Sequence, residues 1–212
     1  MKGKHILILV FLVCSSGIYA QFGIRAGVNL ANEIKSFSQA DISAGFSSKN
    51  LTGYQIGFVY QAMPKKSGLG FEIGALLSQK GSSFSDSTNV VDFIKQGYKE
   101  LNYIEIPLNL RYRISLGLVG LYGIAGVYGG YVINGQTVNE TNNEVQTQTF
   151  ETFIDHVDYG YNLGLGVELF KKIQLGLNWS QGIRNTSNSI VGLPTPTNTT
   201  NRVYTVNLTY LF

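Results

Sequence analysis

The sequence predicts an all-β protein, an eight-stranded antiparallel up-and-down transmembrane barrel. Three observations carry that expectation: period-two patterning over long stretches, connections that alternate long and short, and glycines gathered on the polar side of the strands. The patterning is clearest in LNYIEIPLNLRYRI, residues 101–114. Ile104, Ile106, Leu108, Leu110, Tyr112 and Ile114 share one face, and Tyr103, Glu105, Pro107, Asn109, Arg111 and Arg113 share the other. A helix would set Glu105 beside Leu108 and scatter the arginines through the apolar stripe, so only a strand sorts these residues.

The elements follow in chain order. Lys2 and Lys4 precede an apolar run from Ile6 to Val13 and a small-residue exit ending at Ala20, the layout of a secretory signal peptide. Residues 1–20 are therefore expected to be a cleaved leader and 21–212 the barrel domain. The run is too short to span a hydrocarbon core, which needs about 20 residues. Lipid attachment at Cys14 is the other reading of this segment, and the bulky Phe11 and Val13 fit it poorly. Cleavage would remove the one cysteine, leaving no disulfide or thiolate metal site. It would also take the sixteen basic residues to fourteen against thirteen acidic ones, too little charge for a nucleic-acid partner.

The first strand runs from Phe22 to Leu30, with Phe22, Ile24, Ala26, Val28 and Leu30 opposite Gly23, Arg25, Gly27 and Asn29. The second, 51–62, sets Tyr54, Ile56, Phe58 and Tyr60 against Gly53, Gln55, Gly57 and Gln61; the third, 69–78, sets Leu69, Phe71, Ile73, Ala75 and Leu77 against Gly70, Glu72 and Gly74. Residues 101–114 form the fourth. In the fifth, 118–133, glycines fall on both faces, and the expected outward side is Leu121, Ala125, Val127 and Tyr131. The sixth (157–169), seventh (173–183) and eighth (202–212) alternate cleanly again. Pro107 would remove a ladder hydrogen bond and marks a bulge or local break.

Between these strands, 31–50, 81–100, 134–156 and 184–201 are long connections, whereas Pro64–Ser67, Ser115–Gly117 and Phe170–Lys172 are tight. Long structureless loops are uncommon in compact soluble domains. Outer-membrane barrels have them on the extracellular side, with short periplasmic turns. The expected location is thus the bacterial outer membrane, with both termini periplasmic and the long loops extracellular.

A soluble barrel of the lipocalin kind would alternate too, with its apolar residues inside. The glycines argue for the inverse. Gly23, Gly27, Gly57, Gly74, Gly160, Gly164, Gly166 and Gly176 lie on the polar face with Arg25, Glu72, Glu105, Arg111, Arg113 and Glu168. Bare positions beside large charged ones suit the crowded lumen of an eight-stranded barrel, not a solvated surface. The aliphatic face is then expected on lipid, with Tyr54, Tyr60, Tyr159, Tyr161, Trp179, Tyr204 and Tyr210 near strand ends as interfacial girdles. Leu208, Tyr210 and Phe212 close the chain at spacings of two and resemble the C-terminal signal read by the barrel-insertion machinery.

Four stretches carry a family resemblance: YIEIPLNLRYRI (103–114), LYGIAGVYGGYVI (121–133), DYGYNLGLGVEL (158–169) and VYTVNLTYLF (203–212). Together they resemble the PorT-like outer-membrane β-barrel family of Gram-negative bacteria, over essentially the whole mature chain. The resemblance implies an eight-stranded barrel and, through the family's namesake, a link to protein secretion. It implies no catalytic residue.

The chemistry expected from the residues is a lumen charge network. Arg25, Glu72, Arg111, Arg113 and Glu168 fall in the periplasmic half of the bore and Glu105 nearer mid-height, so Arg–carboxylate pairs are expected to plug it. A narrow gated pore is the alternative use of the same groups. The enzyme alternative, a lipid hydrolase or protease, would rest on His156 with Asp158 on its side, Asp155 pointing away. A calcium site from Glu151, Asp155 and Asp158 lacks regular ligand spacing. The leading expectation is a non-enzymatic barrel without cofactor or metal, whose partners are outer-membrane lipid, the insertion machinery and an envelope or secretion protein.

Overall fold

The computed structural model describes residues 18–36, 46–64, 68–86, 96–139, 144–147, 156–184 and 198–212. These form nine strands: β1 (Ile18–Ser36), β2 (Phe46–Pro64), β3 (Leu69–Asp86), β4 (Gln96–Leu116), β5 (Val119–Asn139), β6 (Glu144–Thr147), β7 (Val157–Leu169), β8 (Ile173–Gly182) and β9 (Asn198–Leu211). Eight of them close a barrel in the order β1-β2-β3-β4-β5-β7-β8-β9, every pairing antiparallel, with β9 returning to β1. Closure leaves no open edge in the wall, as a chain facing lipid requires. The ninth strand, β6, was expected as loop; it pairs only with the end of β5, at Gln136–Asn139.

The two faces sort as the alternation predicts. Ile106 is 52% exposed and Leu163 47%, both on the outer wall, while Arg111 and Glu72 are fully buried within it. In β5 the glycines do not disturb the phase: Leu121, Ala125 and Val127 point outward, and Tyr122, Ile124 and Tyr128 point in. The outer apolar belt runs from Phe22 to Leu30 on β1 and from Ile104 to Ile114 on β4. That is close to the 9–11 or so residues a tilted strand needs to cross a bilayer.

The strands themselves are longer, reaching 21 residues in β4 and β5. The expected loops at 31–50, 81–100, 134–156 and 184–201 are correspondingly shorter. Pairing continues to Ser36↔Asn198, Phe46↔Asp86 and Gly97↔Asn139. The outer face turns polar where the belt ends, at the bonded pairs Asn102–Asn134 (2.7 Å), Gln136–Glu100 (3.0 Å) and Arg202–Gln181 (3.1 Å). Backbone pairing persists there because the neighbours are still in register, although the apolar alternation has stopped.

The opposite end carries the tight turns. Phe170 and Lys171 both have positive φ, 55° and 58°, the paired left-handed conformation that matches hairpin twist, and Gly117 supplies φ 78° in the β4–β5 turn. Pro107 gives the local break expected of it. The β3–β4 ladder pairs Ile73↔Leu108 and then Leu76↔Glu105, skipping the residues between without a change of register. The bulges lie elsewhere, at Asn102/Tyr103 against β5 and at Asn50/Gln55 in β2 against β3.

Candidate functional site

The lumen is where this chain concentrates its chemistry, and it divides into two clusters. The first lies toward the tight turns. Glu72 is its centre: its Oε2 accepts from Arg25 Nη2 (2.9 Å), Gln61 Nε2 (2.8 Å) and Arg111 Nη1 (3.1 Å), and its Oε1 accepts from Asn109 Nδ2 (3.3 Å). Arg25 also donates from Nε to Thr209 Oγ1 at 2.9 Å. Gln61 and Gln174 exchange reciprocal amide bonds across the bore at 2.9 and 3.0 Å. Gln174 passes the chain on to Glu168 Oε2 (2.8 Å), whose Oε1 accepts from Arg113 Nη1 at 3.0 Å. Arg111 lies over the Tyr122 ring, 3.7 Å from its centroid.

Bare backbone makes room for that ring. A Cβ at Gly166 would stand 2.5 Å from the Tyr122 hydroxyl, and one at Gly176 2.6 Å from it. Gly166 and Gly176 therefore do what the sequence suggests, leaving space opposite a large side chain, whereas Gly23, Gly27 and Gly57 stand against the backbone of the neighbouring strand. In this cluster all four carboxylate oxygens of Glu72 and Glu168 are bonded. Three arginines face two glutamates, a formal excess of one positive charge.

The second cluster is farther from the turns. Lys80 Nζ lies 2.6 Å from Glu105 Oε2 and 3.7 Å from Asp158 Oδ2. It sits 4.2 Å from the centroid of Tyr128 and 5.0 Å from that of Tyr103. Tyr128 Oη donates to Asp158 Oδ2 (3.3 Å), and Asn201 Nδ2 donates to the same oxygen (3.0 Å) and to Tyr103 Oη (3.3 Å). Here one cation faces two carboxylates, an excess of one negative charge that offsets the other cluster. Between the two, a cavity lined in part by Arg25, Asn29, Gln55, Lys80, Glu105 and Asn109 leaves about 10 Å³ to the centre of a water-sized sphere. That is room for about one water.

Of the residues singled out from sequence, Arg25, Glu72, Arg111, Arg113 and Glu168 thus share one network, and Glu105 stands apart from it with Lys80. Lys80 and Tyr128 were not anticipated as lumen partners, and Asp158, on the polar face of its strand, pairs with Lys80 instead of with His156. Lys80 lies beyond Leu77, the last apolar outward residue of its strand, so nothing in the alternation marked it. Gln61 and Gln174 were on the polar face but carry no charge to draw attention.

The hydrolase reading loses its pairing. Asp158 is buried in the lumen on Lys80, Tyr128 and Asn201, whereas His156 stacks on Tyr131 at 4.8 Å with Nδ1 2.8 Å from the Val132 carbonyl oxygen. Arg184 donates to the Val157 carbonyl at the same rim. Glu151 and Asp155 of the calcium alternative lie outside the described residues, and among those described no acidic, histidine or cysteine group is placed to hold a metal.

Residues 15–188 match the family described as outer membrane protein beta-barrel domain. The chain belongs to that family. It is accordingly a bacterial outer-membrane barrel. Among solved structures, this outer-membrane barrel is similar to OprG from Pseudomonas aeruginosa, with 15% identity, 91% of this chain and 96% of that chain covered, and a TM-score of 0.51. It is also similar to Neisserial surface protein A, with 9% identity, 92% and 99% coverage and a TM-score of 0.48. Ail of Yersinia pestis gives 12% identity, 91% and 99% coverage and a TM-score of 0.44. No curated protein matches the sequence.

The barrel's aromatic residues form contacts at both ends of the belt. Phe22–Tyr60 (4.9 Å), Tyr60–Phe71 (6.2 Å) and Tyr210–Phe212 (5.7 Å) lie at the turn end, and Tyr161–Trp179 (5.5 Å) at the other. Leu208, Tyr210 and Phe212 all face outward on the closing strand, where Phe212 N donates to the Phe22 carbonyl oxygen at 2.8 Å.

Proposed function

We propose that this protein is a non-enzymatic, PorT-like integral barrel with a plugged lumen, serving as a structural element of the outer membrane or as the docking platform of an envelope or secretion partner. Its termini and tight turns face the periplasm and its long-strand end faces outward. In this reading residues 1–20 are a cleaved leader, and Leu208, Tyr210 and Phe212 present the assembly signal to the insertion machinery.

The observation that carries the reading is the cross-bore pairing of Arg25, Glu72, Arg111 and Glu168. Strands β1, β3, β4 and β7 each contribute a buried charge to it, and the Gln61–Gln174 bridge ties in β2 and β8. Ions crossing the bilayer would have to break these bonds, and eight strands leave an interior only just wide enough for side chains. Extension of the strands beyond the belt supports the partner role, because it lifts a hydrogen-bonded wall with a polar outer face above the lipid.

Planar-bilayer recordings test the plug. Wild type and Glu105→Ala are both expected to stay closed, and sustained unitary conductance from the wild type would sink the proposal. Cross-linking in intact cells, with mass spectrometry of the captured species, identifies the partner.

A further inference from the structure

The far cluster has a composition that ion pairing alone does not require. A lysine, an aspartate and a glutamate meet in a chamber walled by Tyr103 and Tyr128. All three are buried, with Lys80 2% exposed, Asp158 1% and Glu105 4%. We propose that this triad forms an intramolecular isopeptide bond between Lys80 Nζ and Asp158 Cγ, with Glu105 as the proton carrier, so that β3 and β7 are covalently joined across the lumen.

The roles follow from placement. Lysine is the side chain here that can become a nucleophile, since an amine that gives up its proton exposes a lone pair. The arginines of the turn-end cluster stay protonated and cannot react in this way. Glu105 Oε2 lies 2.6 Å from Nζ as a close ion pair that is not aligned as a hydrogen bond, and a small rotation of the carboxylate brings it onto the ammonium proton. Asp158 presents the electrophile with Oδ2 at 3.7 Å from Nζ, which puts the carboxyl carbon within a small side-chain adjustment of the amine.

The two oxygens of Asp158 are not equivalent. Oδ2 accepts from both Tyr128 Oη and Asn201 Nδ2, donors placed to hold the negative charge that builds on that oxygen as the amine adds. Oδ1 accepts no hydrogen bond. It is the oxygen free to leave. Beside it Gly182 has no side chain, and a Cβ there would stand 3.2 Å from Oδ1.

The step balances within the triad. Nζ passes a proton to Glu105, and its lone pair forms the C–N bond to Asp158 Cγ. The Cγ–Oδ1 bond then breaks, and Oδ1 departs as one water with two protons that began on the ammonium, relayed by Glu105. Glu105 ends as it started, no oxidant or reductant is needed, and one positive and one negative charge are removed from the bore together.

Mass spectrometry of the full-length protein purified from outer membranes tests the proposal. The fully denatured wild-type chain is expected to be lighter than its mature sequence by one water. A tryptic digest is expected to contain a branched peptide joining the segment around Lys80 to that around Asp158, a readout independent of where the leader is removed. Glu105→Gln and Lys80→Arg are expected to restore the full mass, each checked for folding by its compact unboiled form on a denaturing gel. A folded wild type at full mass with unmodified Lys80 peptides overturns the inference, whether or not the variants fold. Loss of water that persists in Glu105→Gln overturns the role given to Glu105.

Discussion

The two ends of the lumen meet the same problem, buried charge in a narrow bore, in different ways. Toward the turns, guanidinium groups and amides bind every carboxylate oxygen, and because arginine does not deprotonate the arrangement is fixed. Farther out, a single ammonium serves two carboxylates between tyrosine rings, and one oxygen of Asp158 is left without a donor. One end behaves as a permanent cross-brace, while the other holds groups whose protons can move. Each of the two clusters carries one unit of uncompensated charge, opposite in sign.

Removing the hub of the brace should have the largest effect. Glu72→Ala leaves Arg25 and Arg111 buried without their shared partner, and neither can shed its charge. The expected loss is about 3–5 kcal/mol in denaturant unfolding from detergent micelles. A loss below about 1 kcal/mol would mean that the two arginines find water, and that the turn end is not closed.

Lys80→Met should cost less, about 1–3 kcal/mol relative to Lys80→Arg, which keeps a cation in the chamber but forms no link, because Asp158 keeps Tyr128 and Asn201. Parallel unfolding series of the two variants give the difference. The smallest effect belongs to Arg113→Ala. Its side chain is 20% exposed at the edge of the brace, and a change within about 1 kcal/mol is expected from the same measurement.

The Lys80 chamber also shows where reading the sequence stops. Arg25, Glu72, Arg111, Arg113 and Glu168 could be placed in the lumen because each sits in a run whose alternate residues are apolar, so the face is fixed by the period. Lys80 lies at the margin of its run, where outward residues turn polar and the alternation loses contrast, whereas Asp158 sits on the polar face of its strand but no local pattern names Lys80 as its partner. The same fading hid the strand extensions at 31–36, 81–86 and 134–139 and the short β6. Beyond the apolar belt the outward face is polar, although Leu101, Tyr103 and Val132 still pack inside, and hydrogen bonding to a neighbour carries the strands on. In β5 glycine blurred the pattern locally, yet Leu121, Ala125 and Val127 still fixed its phase.

By itself the sequence determined the number of wall strands, their antiparallel order and the face taken by side chains within the alternating runs, because crossing a bilayer imposes a period of two on every segment that does so. Only the tertiary structure decided which charges meet. Partners such as Arg25 and Glu72, or Lys80 and Asp158, stand on strands brought opposite one another by barrel closure and strand register. Those relations are properties of the assembled wall and leave no trace in the local pattern of any one strand.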